Sequence, residues 1–339
     1  MTTTSTGGAN PAAAPSATGV AGRAAGIDLR SILVFLVVAF GLAWLVTLPL
    51  WLGDGLAEPS FTLVAAVMMT TPAIAALVVV FLVERPAHRW RALGLWPLRP
   101  FGRLFGYIAA GIAVAMALVL VALPVGALLG VYPADFTGFS AFRETLAAQV
   151  GPGLVPESVG VIVATQLALV PLAAVLGVLP ALGEEIGWRG WLLPKLMPLG
   201  AVPAILISGV VWGTWHAPVL LLGYNYPDAP SWLGVLSMIG MCTVVGAIFG
   251  WLRLRSGSVW PAALAHSAFN ATAVSFLLFA MAGVPVDTTQ ATVLGWSGWI
   301  VPLVVIVLLV ATGRFAPVAE RSEGRALSSR SGGRHRTVR

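Results

Sequence analysis

The run LFGYIAAGIAVAMALVLVALPVGALLGVY, residues 104–132, decides the fold class. It holds 29 residues without a single charge. A helix that crosses a hydrocarbon layer of about 30 Å needs about 20 apolar residues. In lipid every backbone N–H and C=O must be satisfied internally, so such a run reads as a membrane-spanning helix. Runs of the same kind lie near 31–53, 61–83, 158–182, 201–222, 232–252, 258–282 and 293–313. The expected fold is therefore all-α, a polytopic transmembrane bundle of about eight spans occupying residues 31–313. Glycines and prolines interrupt several runs, which membrane helices tolerate. No internal repeat is visible, so an inverted-repeat transporter gains no support.

Composition points the same way. The chain has 339 residues, 58% hydrophobic and 9% charged, where a soluble domain carries about 25% charged residues. A water-soluble helical protein is excluded on that ground, as is disorder in the middle of the chain. Residues 1–30 are mostly Ala, Gly, Ser and Thr and are expected to form a disordered cytoplasmic tail. They contain no apolar region before a cleavage site, so they do not read as a signal peptide. Residues 314–339 are polar and Arg-rich and are expected to be disordered as well. The lone cysteine, Cys242, lies in an apolar run and reads as a small packing residue. Eighteen Arg against one Lys, with heavy Ala and Gly use, suggest a GC-rich bacterial genome.

Loop charges give an orientation. Counted from the N-terminal tail, the basic residues fall on alternate sides, eighteen of nineteen on one side, with Arg143 the exception. In this count the loop after the fourth span supplies Arg189 and Lys195. The positive-inside rule makes the basic side cytoplasmic, with both termini there. The expected location is the bacterial plasma membrane, multi-pass. The net charge of +6 is thereby explained by topology, and no nucleic-acid partner is expected.

Three polar clusters stand where an apolar bundle has no use for them. They are Gly183-Glu184-Glu185-Ile186-Gly187-Trp188-Arg189-Gly190, Trp212-Gly213-Thr214-Trp215-His216 and His266-Ser267-Ala268-Phe269-Asn270. A charge at the bilayer centre costs roughly 2.5–3.5 kcal/mol on insertion scales, so such residues persist when they face one another or a wet cavity. The competing reading of each His alone is a core residue that joins two helices. Glu185 and Arg189 stand at i and i+4 and can form an ion pair. Glu184 is turned about 100° away and is left for chemistry. His266 and Asn270, also at i and i+4, can point at one locus. An acid, an imidazole and an amide donor around one water suit peptide hydrolysis. Hydropathy sets Glu184 near the cytoplasmic end of the fourth span, yet His216 about 20 Å into the fifth. They meet if the fourth span starts late, tilts, or breaks at Pro171 or Pro180, or if a polar funnel opens to the cytoplasm. Trp188, Trp191, Trp212 and Trp215 read as packing and interfacial anchors in preference to a groove lining.

These clusters resemble the signature of the CAAX-protease and bacteriocin-processing (CPBP, or Abi) family of intramembrane proteases, of the Rce1-like kind. Glu184, Glu185 and Arg189 match its Glu-Glu-x-x-x-Arg motif. Trp212 to His216 match Phe-x-x-x-His, with Trp in place of Phe. His266 and Asn270 match His-x-x-x-Asn. The resemblance covers residues 158–282. It implies an endopeptidase acting on a membrane-associated protein or peptide, with Glu184 as the base that activates water and His216 as its helper. His266 and Asn270 would stabilise the oxyanion, and Glu185 and Arg189 would hold the geometry. Glu184 and the two His could ligate zinc, but His-Glu-x-x-His is absent and a metal-free mechanism is slightly preferred. The Gly-x-Ser-Gly of rhomboids is also absent, since Leu206 and Ile207 precede Ser208. So is the Gly-x-Gly-Asp of presenilin-like proteases, since Asp54 has Trp51 at the first position. Two other classes remain: a non-catalytic scaffold or bacteriocin self-immunity protein on the same fold, and a proton-coupled transporter using Glu184 and the histidines.

Overall fold

A computed structural model describes residues 27–315. The expected tails therefore lie for the most part outside the described residues. The described chain is all-helical, with no strand among its residues and one isolated bridge between Ala134 and Ala280. Its main elements are α1 (Leu29–Leu52), α2 (Phe61–Met68), α3 (Thr71–Val78), α4 (Phe101–Leu128), α5 (Val159–Leu176), α6 (Val178–Glu185), α7 (Ala201–Trp215), α8 (Ser231–Ser256), α9 (Trp260–Ala273) and α10 (Ile300–Ala311). Six segments are long and apolar enough to cross a membrane: Leu29–Leu52, Phe61–Glu84, Phe101–Leu128, Val159–Leu176, Ser231–Ser256 and Trp260–Phe279. Ala201–Trp215 and Trp296–Ala311 are apolar but shorter. Large apolar side chains point outward along these helices, Leu128 at 88% exposure and Phe105 at 71% among them. Water would not tolerate so broad an apolar surface on a monomer; lipid does.

The helices meet end to end in an alternating pattern. At one end Arg103 donates to the Arg255 carbonyl (3.0 Å), the Val259 N–H to Gly94 (2.9 Å) and Trp251 to the Arg314 carbonyl (3.1 Å). Lys195 pairs there with Glu84 at 2.8 Å. At the other end Trp51 donates to the Pro218 carbonyl (3.0 Å), Thr288 to Asn225 (2.6 Å) and Tyr226 to Leu294 (3.1 Å). Phe315, which the sequence leaves in a polar tail, is buried against Ile205 and Ala247.

The fourth apolar run departs from expectation. Every residue from Val159 to Leu199 is helical except Gly177. The break has a local cause. Pro180 has no N–H for the Leu176 carbonyl, and its ring crowds that carbonyl, so the rod bends just ahead of it. Beyond the bend α6 passes through a π-helical turn, Ile186–Leu192, and continues to Leu199. Hydropathy ends this run at 182 because Glu184, Glu185, Arg189 and Lys195 follow. Arg189 is thus not a loop residue. It is buried at 2% exposure inside the rod, where its pairing with Glu185 removes the cost of an isolated charge. It drops out of the loop-charge count.

Candidate active site

The chain reverses at Gly200, whose φ of +96° suits a residue without Cβ. Glu184 lies sixteen residues before that turn and His216 sixteen after it. Two helices that leave one turn at the same rise carry both side chains to the same depth, about 24 Å from it. The depth conflict posed by hydropathy disappears, because the span ends at Leu199 and not near 182.

Close approach of the rod to its neighbours depends on glycine. A Cβ on Gly183 would sit 2.8 Å from the Met69 carbonyl oxygen. One on Gly187 would lie 2.4 Å from Pro72 Cβ, and one on Gly190 2.7 Å from the Leu93 oxygen. These residues at i, i+4 and i+7 form one face, laid against α3 and the chain on either side of it. The acids project from other sides of the same rod.

Glu184 and Glu185 occupy different environments. Glu185 Oε1 accepts from Arg189 Nη1 (2.8 Å) and from His266 Nδ1 (2.9 Å). The Arg189 guanidinium also lies 4.0 Å from the Trp212 ring centre and 5.6 Å from that of Phe249, within the range of a cation–π contact. Gly246 makes room for it, since a Cβ there would come within 2.4 Å of Nη2. Glu184 Oε2 accepts from two indoles, Trp212 Nε1 at 2.6 Å and Trp188 Nε1 at 3.3 Å. Its other oxygen is left to the cavity it lines.

That cavity, about 250 Å³, brings Glu184, Trp212, Trp215, His216, His266 and Asn270 onto one wall system. Glu185 and Arg189 are not among its lining residues; they stand behind it. The helix of His216 breaks at that residue because Pro218, two positions on, cannot bond the Thr214 carbonyl. His216 Nδ1 lies 2.9 Å from the Trp212 carbonyl. A carbonyl only accepts, so Nδ1 carries the proton and Nε2 keeps its lone pair. His266 Nδ1, facing a carboxylate, is likewise the donor nitrogen. Its ring stacks on Phe249 at 5.5 Å. Asn270 is exposed on the wall of the cavity.

Sequence spacing anticipates the Glu185–Arg189 pair and the shared locus of His266 and Asn270. It misses the indole donors and Phe249. Trp188 at i+4 from Glu184 is visible in sequence as a neighbour; Trp212 and Phe249 reach the site only through tertiary packing. All four tryptophans named above are buried. They pack rather than anchor an interface, and Trp212 and Trp215 also line the cavity. Among the described residues no three of His, Cys, Asp and Glu converge to hold a metal. Glu184 Oε2 accepts from the two indoles, and each histidine Nδ1 is held by an oxygen partner.

Residues 166–272 match the family model described as type II CAAX prenyl endopeptidase, Rce1-like. The matched stretch runs from within α5 to α9 and contains Glu184, Glu185, Arg189, His216, His266 and Asn270. At family level this suggests an intramembrane endopeptidase. No curated protein matches the chain.

Proposed function

We propose that this chain is an intramembrane endopeptidase that hydrolyses a peptide bond of a membrane-associated protein or peptide. The observation that carries the reading is one cavity lined by Glu184, His216, His266 and Asn270, with the buried Glu185–Arg189 pair directly behind it. Two indole N–H groups fix one oxygen of Glu184, and the other takes a proton from water as the water oxygen attacks the scissile carbonyl. His216, with Nε2 unprotonated, accepts a hydrogen bond from the same water. Negative charge then develops on the carbonyl oxygen. The Asn270 amide donates to it, with His266 oriented alongside by its bond to Glu185. Collapse of the tetrahedral intermediate breaks the C–N bond, and Glu184 returns the proton to the leaving amine. Glu185 and Arg189 hold His266 and the Trp212 ring in register and are positioning residues.

Eight crossings with both termini in the cytoplasm complete the reading, in a bacterial plasma membrane. The alternate meeting of loops at opposite ends of the bundle supports it. The test is a quantitative comparison of peptide termini in a Glu184→Ala strain and its parent. Uncleaved membrane polypeptides should accumulate in the variant. Identical terminal-peptide profiles, with the variant present at the parental level, would count against proteolysis.

A further inference from the structure

We infer that the cavity opens at the end of the bundle opposite the arginine-rich loops, so that its substrate is a bilayer-anchored polypeptide cut at its extracytoplasmic membrane boundary. The inference rests on the endopeptidase reading for the word substrate, and on the loop charges for the side.

The rim of the cavity identifies the open end. Phe61 follows the loop that carries Asp54 and Glu58. Tyr224 and Asn225 belong to the loop with Asp228, and Leu294 to the loop with Asp287. The last two of these loops are joined by the Thr288–Asn225 and Tyr226–Leu294 hydrogen bonds, and Phe61 beside the first packs on Tyr224, ring centres 5.6 Å apart. None of the loops carries an Arg or Lys, so all three belong outside by the positive-inside rule. The lining residues Ala65 and Met68 of the segment Phe61–Glu84, His216 and Val219 just past the end of α7, and Met238 and Met241 of α8 all lie toward the ends nearer these loops.

The other end is closed. Below the floor, Glu185, Trp188, Arg189, Trp191, Leu192 and Leu193 are all buried at 2% exposure or less. Beyond them the Lys195–Glu84 ion pair and the Val259–Gly94 hydrogen bond tie the cytoplasmic loops together. A polypeptide arriving from the arginine-rich side would have to break the ion-paired core to reach Glu184.

The cavity also extends sideways. Asn270 and Val274 on the wall of α9 are exposed, Val274 at 61%. No Arg, Lys or Asp lines the space, whereas Phe61, Met68, Met69, Met238, Met241 and Phe269 do. Such walls accept apolar side chains of an extended segment and reject charged head groups. The occupant that fits is the stretch of a membrane-anchored chain just where it leaves the outer half of the bilayer.

Single cysteines read the opening without any need for catalysis. Asn225→Cys at the rim and Asn270→Cys in the cavity should react with a membrane-impermeant maleimide in intact cells, to the extent reached after permeabilisation. The wild-type chain, with only the buried Cys242, should stay unlabelled. Arg91→Cys should label only after permeabilisation. Labelling of Asn270→Cys only from the cytoplasmic side would overturn the inference. So would Glu184-dependent cuts that map to cytoplasmic segments of the substrates. A terminal-peptide profile unchanged in Glu184→Ala, with outside labelling intact, would instead remove the protease reading and leave the opening in place.

Discussion

Two adjacent carboxylates on one helix are assigned opposite tasks by what each touches. Glu185 receives a guanidinium and an imidazole on one oxygen, and is spent on structure. Glu184 receives only indole N–H groups on one oxygen and keeps the other for the cavity. The Trp212 indole is the closer donor, at 2.6 Å, and a hydrogen bond to a charged acceptor contributes about 1.5–3 kcal/mol. Trp212→Phe keeps an aromatic ring against Arg189 and removes that donor. Turnover should fall about tenfold or more with KM little changed, at 1.4 kcal/mol per tenfold. Steady-state cleavage of a membrane peptide by the purified variant measures it, and wild-type turnover would show that the indole N–H has no part in positioning Glu184. Glu184, Glu185, Arg189, His216, His266 and Asn270 were all legible as polar residues in apolar surroundings with helical spacing. The donor role of Trp212 was not, because it joins residues 28 apart through packing. The one hint was Trp standing where the family motif has Phe.

The rod Val178–Leu199 shows what hydropathy loses at the scale of an element. Four charged residues hide it from an apolar window, although three of them, Glu185, Arg189 and Lys195, are ion-paired within the protein. Its glycine face, Gly183, Gly187 and Gly190, was present in the quoted motif but carried no meaning until α3 was placed against it. Gly187→Ala would set a methyl 2.4 Å from Pro72 Cβ and 2.7 Å from the Pro72 carbonyl carbon. Backbone cannot yield as a flexible side chain can, so the substitution should destabilise the bundle by about 1–3 kcal/mol. Equilibrium unfolding in mixed micelles tests this; a variant as stable as the wild type would mean that the rod and α3 are farther apart than described. The kink at Gly177 was foreseen only as one of several options. A break at Pro180 was among them, but the sequence could not show that the helix resumes after it.

At the scale of the whole molecule, apolar runs and loop charges carried most of the information. All eight runs are helical, six of them long enough to span a membrane unaided. The direction in which the cavity opens was not legible, because it depends on the length of the rod after the kink. The sequence allowed a funnel to the cytoplasm; the lining residues lead to the other face. Reporter fusions after residues 55 and 228 should both signal the extracytoplasmic side. A cytoplasmic signal from either would break the alternation of loops and with it the eight-crossing arrangement.

The account turns on Glu184 as the base that activates water. Glu184→Gln keeps the size and the acceptor for the two indoles while removing the basic oxygen. The purified chain, reconstituted in lipid with a membrane peptide in ¹⁸O-labelled water, should place one heavy oxygen in each new carboxyl terminus. Glu184→Gln, inserted normally and at equal amount, should release no labelled product. Labelled product formed by the variant at the wild-type rate would contradict the account.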